Sequence, residues 1–121
     1  MDGSSGILKS TLEPITPCAW ASMVTGQNPG KTGVFDFAQI VRGSYDLRFP
    51  NRTHVSGSSI WHQADKHGVK CGIVNVPMGY PADKLKHGVY IAGMGSPSPD
   101  DDDVFWPKDL RPEIESYFKK P

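Results

Sequence analysis

Thr16 stands directly before Pro17 in the stretch ITPCAWASMVTGQNPGKTGVFDF, residues 15–37. It is the residue whose type and position most readily do chemistry. A threonine hydroxyl is a poor nucleophile at neutral pH and needs a base or a metal to become an alkoxide. At a helix start it meets roughly +0.5 of a charge and free N–H groups, which favour an anion such as phosphate. Thr16 therefore fits half of a phosphoryl-transfer site. The other half is whatever ionises the hydroxyl. Residue type alone is satisfied by a plainer role, a threonine that only caps the helix.

Other side chains offer less. Cys18, also near the helix start, could be a low-pKa thiol, but a buried small hydrophobe is the simpler reading. His54, His62, His67 and His87 do not form a metal set, because His62 and His67 are five apart and the others fall in loops. Lys31 could approach a phosphate, although a solvated loop lysine explains it as well. Trp20 and Trp61 read as core residues by spacing. Tyr80-Pro81 reads as a loop shaper near a cleft, where Tyr80 could touch substrate.

The elements that must position these residues follow from local signals. Pro17 suits the first helical position, which makes Thr16 the N-cap of a helix over Pro17–Val24 ended by Gly26. Trp20, Met23 and Val24 fall at i, i+3, i+4 and are expected to form its buried stripe. Ile7–Ile15 reads as a short strand, 27–33 as loop, Val34–Ile40 as an apolar piece of undecided type, and 43–57 as an irregular excursion broken by Pro50. Ser58 or Ser59 caps a helix over Ile60–His67, with Trp61 and Ala64 inward and Gly68 as its stop. Val69–Val76 reads as a buried strand stopped by Pro77. Helix, glycine, strand and proline-rich loop in that order are half of an α/β unit. Val89–Ala92 is a further strand and 100–103 a solvated acidic loop. A terminal helix over 112–119 places Ile114, Tyr117 and Phe118 on one face.

The bulk numbers set limits. A chain of 121 residues is one small domain. Lys+Arg 13 balances Asp+Glu 13, so charge gives no argument for nucleic acid or an anionic membrane. No apolar run approaches the roughly 20 residues of a transmembrane helix, and no signal-peptide core follows Met1. Cys18 and Cys71 are too few and too far apart for a disulfide framework. The chain reads as soluble and cytoplasmic. Gly 13 and Pro 11 make it loop-rich, but they punctuate patterned segments.

The segment STLEPITPCAWASMVTGQNPGKTGVFDF resembles the nucleophile region of the type I phosphodiesterase / nucleotide pyrophosphatase family, within the alkaline phosphatase superfamily. That region carries Ser/Thr–x–Pro–Pro–x–Thr, an Ala-Trp, and Thr-Gly-x-x-Pro-x-x-x-Gly-Ile. The segment SSIWHQADKHGVKCGIVNVPMGYPADKLKHGVYIAGMGSPSP is similar to the family's Ile-Trp, helix, Gly-flanked strand ending Asn-Val-Pro, Tyr-Pro loop and Gly-containing strand before Ser/Thr-Pro. Together they cover nearly the whole chain.

The resemblance implies part of a three-layer α/β/α sandwich of the alkaline phosphatase type. It also implies a hydrolase of phosphodiester or nucleotide pyrophosphate bonds, acting on a small phosphoester or nucleotide. It puts the family's nucleophile on Thr16, as a ligand to one of two divalent metals, usually zinc, and transiently phosphorylated. The Cys18 backbone N–H would help hold a non-bridging oxygen, and Asp36 and Tyr80 are the other substrate-side candidates. Three departures stand out. Proline is adjacent to Thr16 where many relatives have it two positions on, with Cys18 in that place. Val34-Phe35-Asp36-Phe37 replaces a phosphate-binding Asn. Asp2-Gly3 mimics the family's first metal-ligand strand but sits too close to Thr16 and lacks a preceding apolar run. The remaining Asp and His ligands of the family lie beyond the matched region, so residues 1–121 read as part of a catalytic domain whose ligands are mostly elsewhere. The alternative is a non-catalytic α/β module that self-associates through exposed sheet edges.

Overall fold

A computed structural model describes residues 3–118, with side chains through Ile114. The expected common face of Tyr117 and Phe118 lies outside the described side chains.

Helix α1 spans Thr16–Thr25. Pro17 sits within its first two positions, and Gly26 ends it at φ +66°, a left-handed conformation that costs glycine nothing. The N-cap is Ile15, not Thr16: Ile15 is extended (φ −105°, ψ 152°), and its carbonyl accepts the Ala19 N–H at 2.9 Å. Thr16 is thus the first residue inside the helix. The buried face is Pro17, Cys18, Ala21 and Val24. Trp20 is only partly buried and Met23 is 62% exposed, so the expected stripe is rotated by about one residue. The residues read as loop after Gly26 contain a helical turn, α2 (Pro29–Thr32), started by Pro29 and by Asn28, whose Oδ1 accepts the Lys31 N–H at 3.1 Å.

A small antiparallel hairpin follows, β1 (Gln39–Ile40) paired with β2 (Leu47–Arg48). A 3₁₀ turn over Arg52–His54 is closed by a reciprocal cap between Asn51 and His54. Helix α3 covers Ile60–Lys66, and Trp61 points inward as expected. Strand β3 (Cys71–Val74) then pairs in parallel with β4 (Gly88–Ile91), the crossover arrangement expected of an α/β unit. The third strand, β5 (Phe105–Trp106), runs antiparallel to β4 and had no sequence counterpart. Short 3₁₀ turns at Asp102–Val104 and Lys108–Leu110 lead into α4 (Arg111–Phe118). The acidic run is largely solvated, with Asp100 and Asp102 paired to Arg111.

Two further expectations fail. Ile7–Ile15 forms no strand; Ile7, Leu8 and Leu12 are over nine-tenths exposed, and an apolar run without a partner strand gains nothing by extending. In β3 only Ile73 is buried, because the described residues cover one face of the sheet.

The main core joins Val24 of α1 and Trp61 of α3 with Ile73, Leu85, Tyr90, Ala92, Val104 and Phe105 around the sheet. Trp61 meets Tyr90 edge-on, centroids 5.6 Å apart at 77°, a contact worth about 0.5–1.5 kcal/mol beyond area. A second cluster, Ala21, Val34 and Val55 with Met78 against it, seats the other side of α1. Between them they hold the N-terminus of α1 beside the loops that leave β3 and β4.

Candidate functional site around Thr16

A cleft of about 190 Å³ opens at the start of α1, lined by Thr16, Pro17, Phe37, Phe49, Pro50, Pro77, Met78, Met94 and Gly95. Its position follows from the topology. Pro77 and Met78 come just after β3, Met94 and Gly95 just after β4, so the cleft lies beyond the carboxyl ends of two parallel strands, where α/β sheets place ligands. Thr16 is partly exposed there, and its hydroxyl has no hydrogen-bond partner among the described residues. The first backbone bond of α1 is that from Ala19, which leaves the Cys18 N–H ahead of it at the positive end of the helix.

The other sequence candidates are placed differently. The Cys18 side chain is 1% exposed and its thiol is free, facing the core, so only its backbone is near the cleft. Asp36 is exposed and its Oδ1 accepts the Phe37 N–H at 2.6 Å; it adjoins the cleft-lining Phe37 without lining the cleft. Tyr80 lies away from that lining, half-buried against the main core. Burial, and then the neighbouring Asp101, push its phenol above the ordinary range. Asp2 lies outside the described residues.

The histidines are structural where they are described. His54 Nδ1 accepts the Asn51 N–H at 3.0 Å, His67 meets the Gln63 carbonyl at 2.8 Å, and His87 lies against Asp65. His62 Nδ1 shares a 2.6 Å hydrogen bond with Ser59 Oγ and sits 3.8 Å from Asp83. Ser59, His62 and Asp83 carry the residue types of a hydrolytic triad but not its geometry: Ser59 is fully buried, and one imidazole nitrogen faces both partners.

No three His, Cys, Asp or Glu side chains converge on a metal-sized site among the described residues. Apart from Thr16 the cleft offers apolar side chains and backbone, so these residues do not by themselves fit a two-metal centre.

What sequence reasoning missed is the pair of loops opposite Thr16. Asn75 and Met78 both adopt positive φ, +55° and +62°. An Asn at a strand end before Val-Pro was the available signal, since Asn tolerates this conformation better than most residues.

A mixed sheet with helices, and a helix start opening on a cleft beyond parallel strands, define an α/β protein with Thr16 at the mouth of that cleft. The family model described as type I phosphodiesterase / nucleotide pyrophosphatase matches residues 1–119, and the chain belongs to that family. The family has the alkaline phosphatase-type fold, is generally metal-dependent, and hydrolyses small phosphoester or nucleotide substrates. Comparison with curated proteins and with solved structures finds no match. Among the described residues no helix is long and apolar enough to cross a membrane.

Proposed function

We propose that this chain carries the nucleophile of a phosphodiester or nucleotide pyrophosphate hydrolase, and that Thr16 is that nucleophile. The observation that supports this most is the unpartnered Thr16 hydroxyl on the cleft at the N-terminus of α1. In the proposed reaction Thr16 Oγ forms a bond to phosphorus as the bond to the leaving oxygen breaks. The hydroxyl proton departs, the leaving group gains one, and a phospho-threonine results. Water then attacks the phosphorus, and the Thr16 oxygen leaves and regains its proton. The Cys18 N–H and the helix dipole would stabilise charge on a non-bridging oxygen. Asp36, beside Phe37, is a weaker substrate-side candidate, and Tyr80 would reach substrate only through movement of its loop.

The divalent cations implied by the family, two and of zinc type, find no ligand set among the described residues; we place most of those ligands elsewhere in the protein. Residues 1–121 then form part of the catalytic domain. The test is Thr16→Ala in the full-length gene product, with turnover of bis-p-nitrophenyl phosphate and circular dichroism measured together. Lost turnover with an unchanged spectrum supports the reading; unchanged turnover contradicts it.

A second reading has its own observation. Strand β3 is an edge of its sheet, with Val74 63% exposed, and an apolar groove lies between α3 and β3. Such an edge suits self-association. Sedimentation against concentration tests it: a monomer at high concentration removes it.

A further inference from the structure

The cleft depends on two loops staying in register. One leaves β3 through Asn75, Val76, Pro77 and Met78; the other leaves β4 through Ala92, Gly93, Met94 and Gly95. Asn75 joins them twice. Its backbone N–H donates to the Ile91 carbonyl at 2.9 Å, extending the β3–β4 ladder by one bond. Its Oδ1 accepts the Met94 N–H, also at 2.9 Å. The side chain lies where a side chain at position 93 would stand, since a Cβ on Gly93 would overlap Asn75 Oδ1 and press on its Cγ and Cα. Glycine at 93 and a left-handed asparagine at 75 are therefore complementary requirements of one contact. Met78, three residues on and also left-handed, packs against the Ala21–Val34–Val55 cluster, which fixes the far end of the same loop.

We propose that Asn75 is a positioning residue for the Thr16 cleft: its amide oxygen holds Met94 and Gly95 opposite Pro77 and Met78, setting the width of the substrate-binding mouth. The proposal rests on the cleft being the substrate site. It does not require Asn75 to touch substrate, because Asn75 does not line the cleft.

The probe is bis-p-nitrophenyl phosphate, titrated into the full chain while the backbone amides of Met78, Met94 and Gly95 are followed by NMR. Asn75→Gly keeps access to positive φ and loses only the acceptor, so its fold is expected to survive, as checked by thermal melting. Binding is expected to weaken about tenfold, the usual scale of one lost hydrogen bond, with faster hydrogen exchange at the Met94 amide. Asn75→Asp, which keeps acceptor and conformation, restores binding to within about threefold. Gly93→Ala attacks the contact from the other side and weakens binding as Asn75→Gly does. Equal affinity in Asn75→Gly and the native chain, or a probe that leaves all three native amides unmoved, overturns the proposal. Failure of the nucleophile reading is distinguishable: Thr16→Ala would then turn over normally while Asn75→Gly still bound weakly.

Discussion

Arg52 Nε donates to Asp83 Oδ2 at 2.8 Å, and the same oxygen accepts the Trp61 Nε1–H at 2.7 Å. One carboxylate thereby ties the segment that follows cleft-lining Pro50 to α3 and to the loop after Tyr80-Pro81. The Arg52 N–H also reaches the Tyr80 carbonyl at 2.7 Å, which closes the same junction through the backbone.

Asp83→Ala leaves a mostly buried guanidinium and an indole N–H without their acceptor. The side chains of Arg52 and Asp83 are 11% and 16% exposed, so solvent replaces the contact only in part. The expected loss is about 2–4 kcal/mol, read by urea denaturation. A loss below about 0.5 kcal/mol would mean the pair behaves as a surface contact.

Gly93→Ala has a stability effect separate from binding. The new methyl must displace the Asn75 side chain, at an expected cost of about 1–3 kcal/mol. The double variant Gly93→Ala with Asn75→Gly removes the side-chain part of the obstruction and leaves only the close approach to the residue-75 Cα, so its melting temperature is expected to exceed that of Gly93→Ala alone. Additive losses in the two variants would contradict the overlap.

Acid stability carries the mark of Asp65. Its carboxylate accepts the Lys86 N–H at 3.0 Å and the His87 N–H at 2.7 Å. The Lys86 amide chiefly, then His87, hold it below the ordinary carboxylate range against a smaller opposing effect of burial. A folded pKa below the unfolded one stabilises above the ordinary carboxylate range and is lost as pH falls through the folded value. Asp65→Asn should therefore be less stable than the native chain at neutral pH, with the gap closing in acid. A gap that stays constant with pH would refute this. At the alkaline end Tyr90, fully buried, and Tyr80 have phenols pushed up by burial, so stability should fall as pH rises past the ordinary tyrosine value.

The purified 121-residue chain is expected to hydrolyse bis-p-nitrophenyl phosphate weakly or not at all, with or without added zinc, because its described residues gather no metal-ligand set. Rapid zinc-dependent hydrolysis by this chain would overturn the view that most ligands lie elsewhere.

Much of this architecture was legible in the sequence where local chemistry decides it. Pro17 and Gly26 bracket α1, Gly68 ends the α3 segment, and Pro77 stops the run that contains β3. Where tertiary partners decide, the reading slipped. Met23 belongs to an apolar spacing yet is exposed, because α1 is pressed between two clusters that it enters through Val24 and Ala21, and its buried face is Pro17, Cys18, Ala21 and Val24. Strand β5 is two residues long and owes its existence to the edge of β4, which no local pattern announces. Thr16 was singled out by its place before Pro17, and the cleft does open beside it; Tyr80, singled out by the same kind of motif, faces the core. The contact between Asn75 and Gly93 joins residues on the loops that leave two neighbouring strands, so only the parallel register of β3 and β4 reveals it.

The central claim concerns the oxygen of Thr16, and a trapped intermediate tests it most directly. The full-length gene product, mixed with a nucleotide phosphodiester and quenched in acid during turnover, is digested and its phosphopeptides are sequenced by mass spectrometry. The account predicts phosphate on Thr16, absent from Thr16→Ala. Phosphate on a different residue, or undiminished turnover in Thr16→Ala, would contradict it.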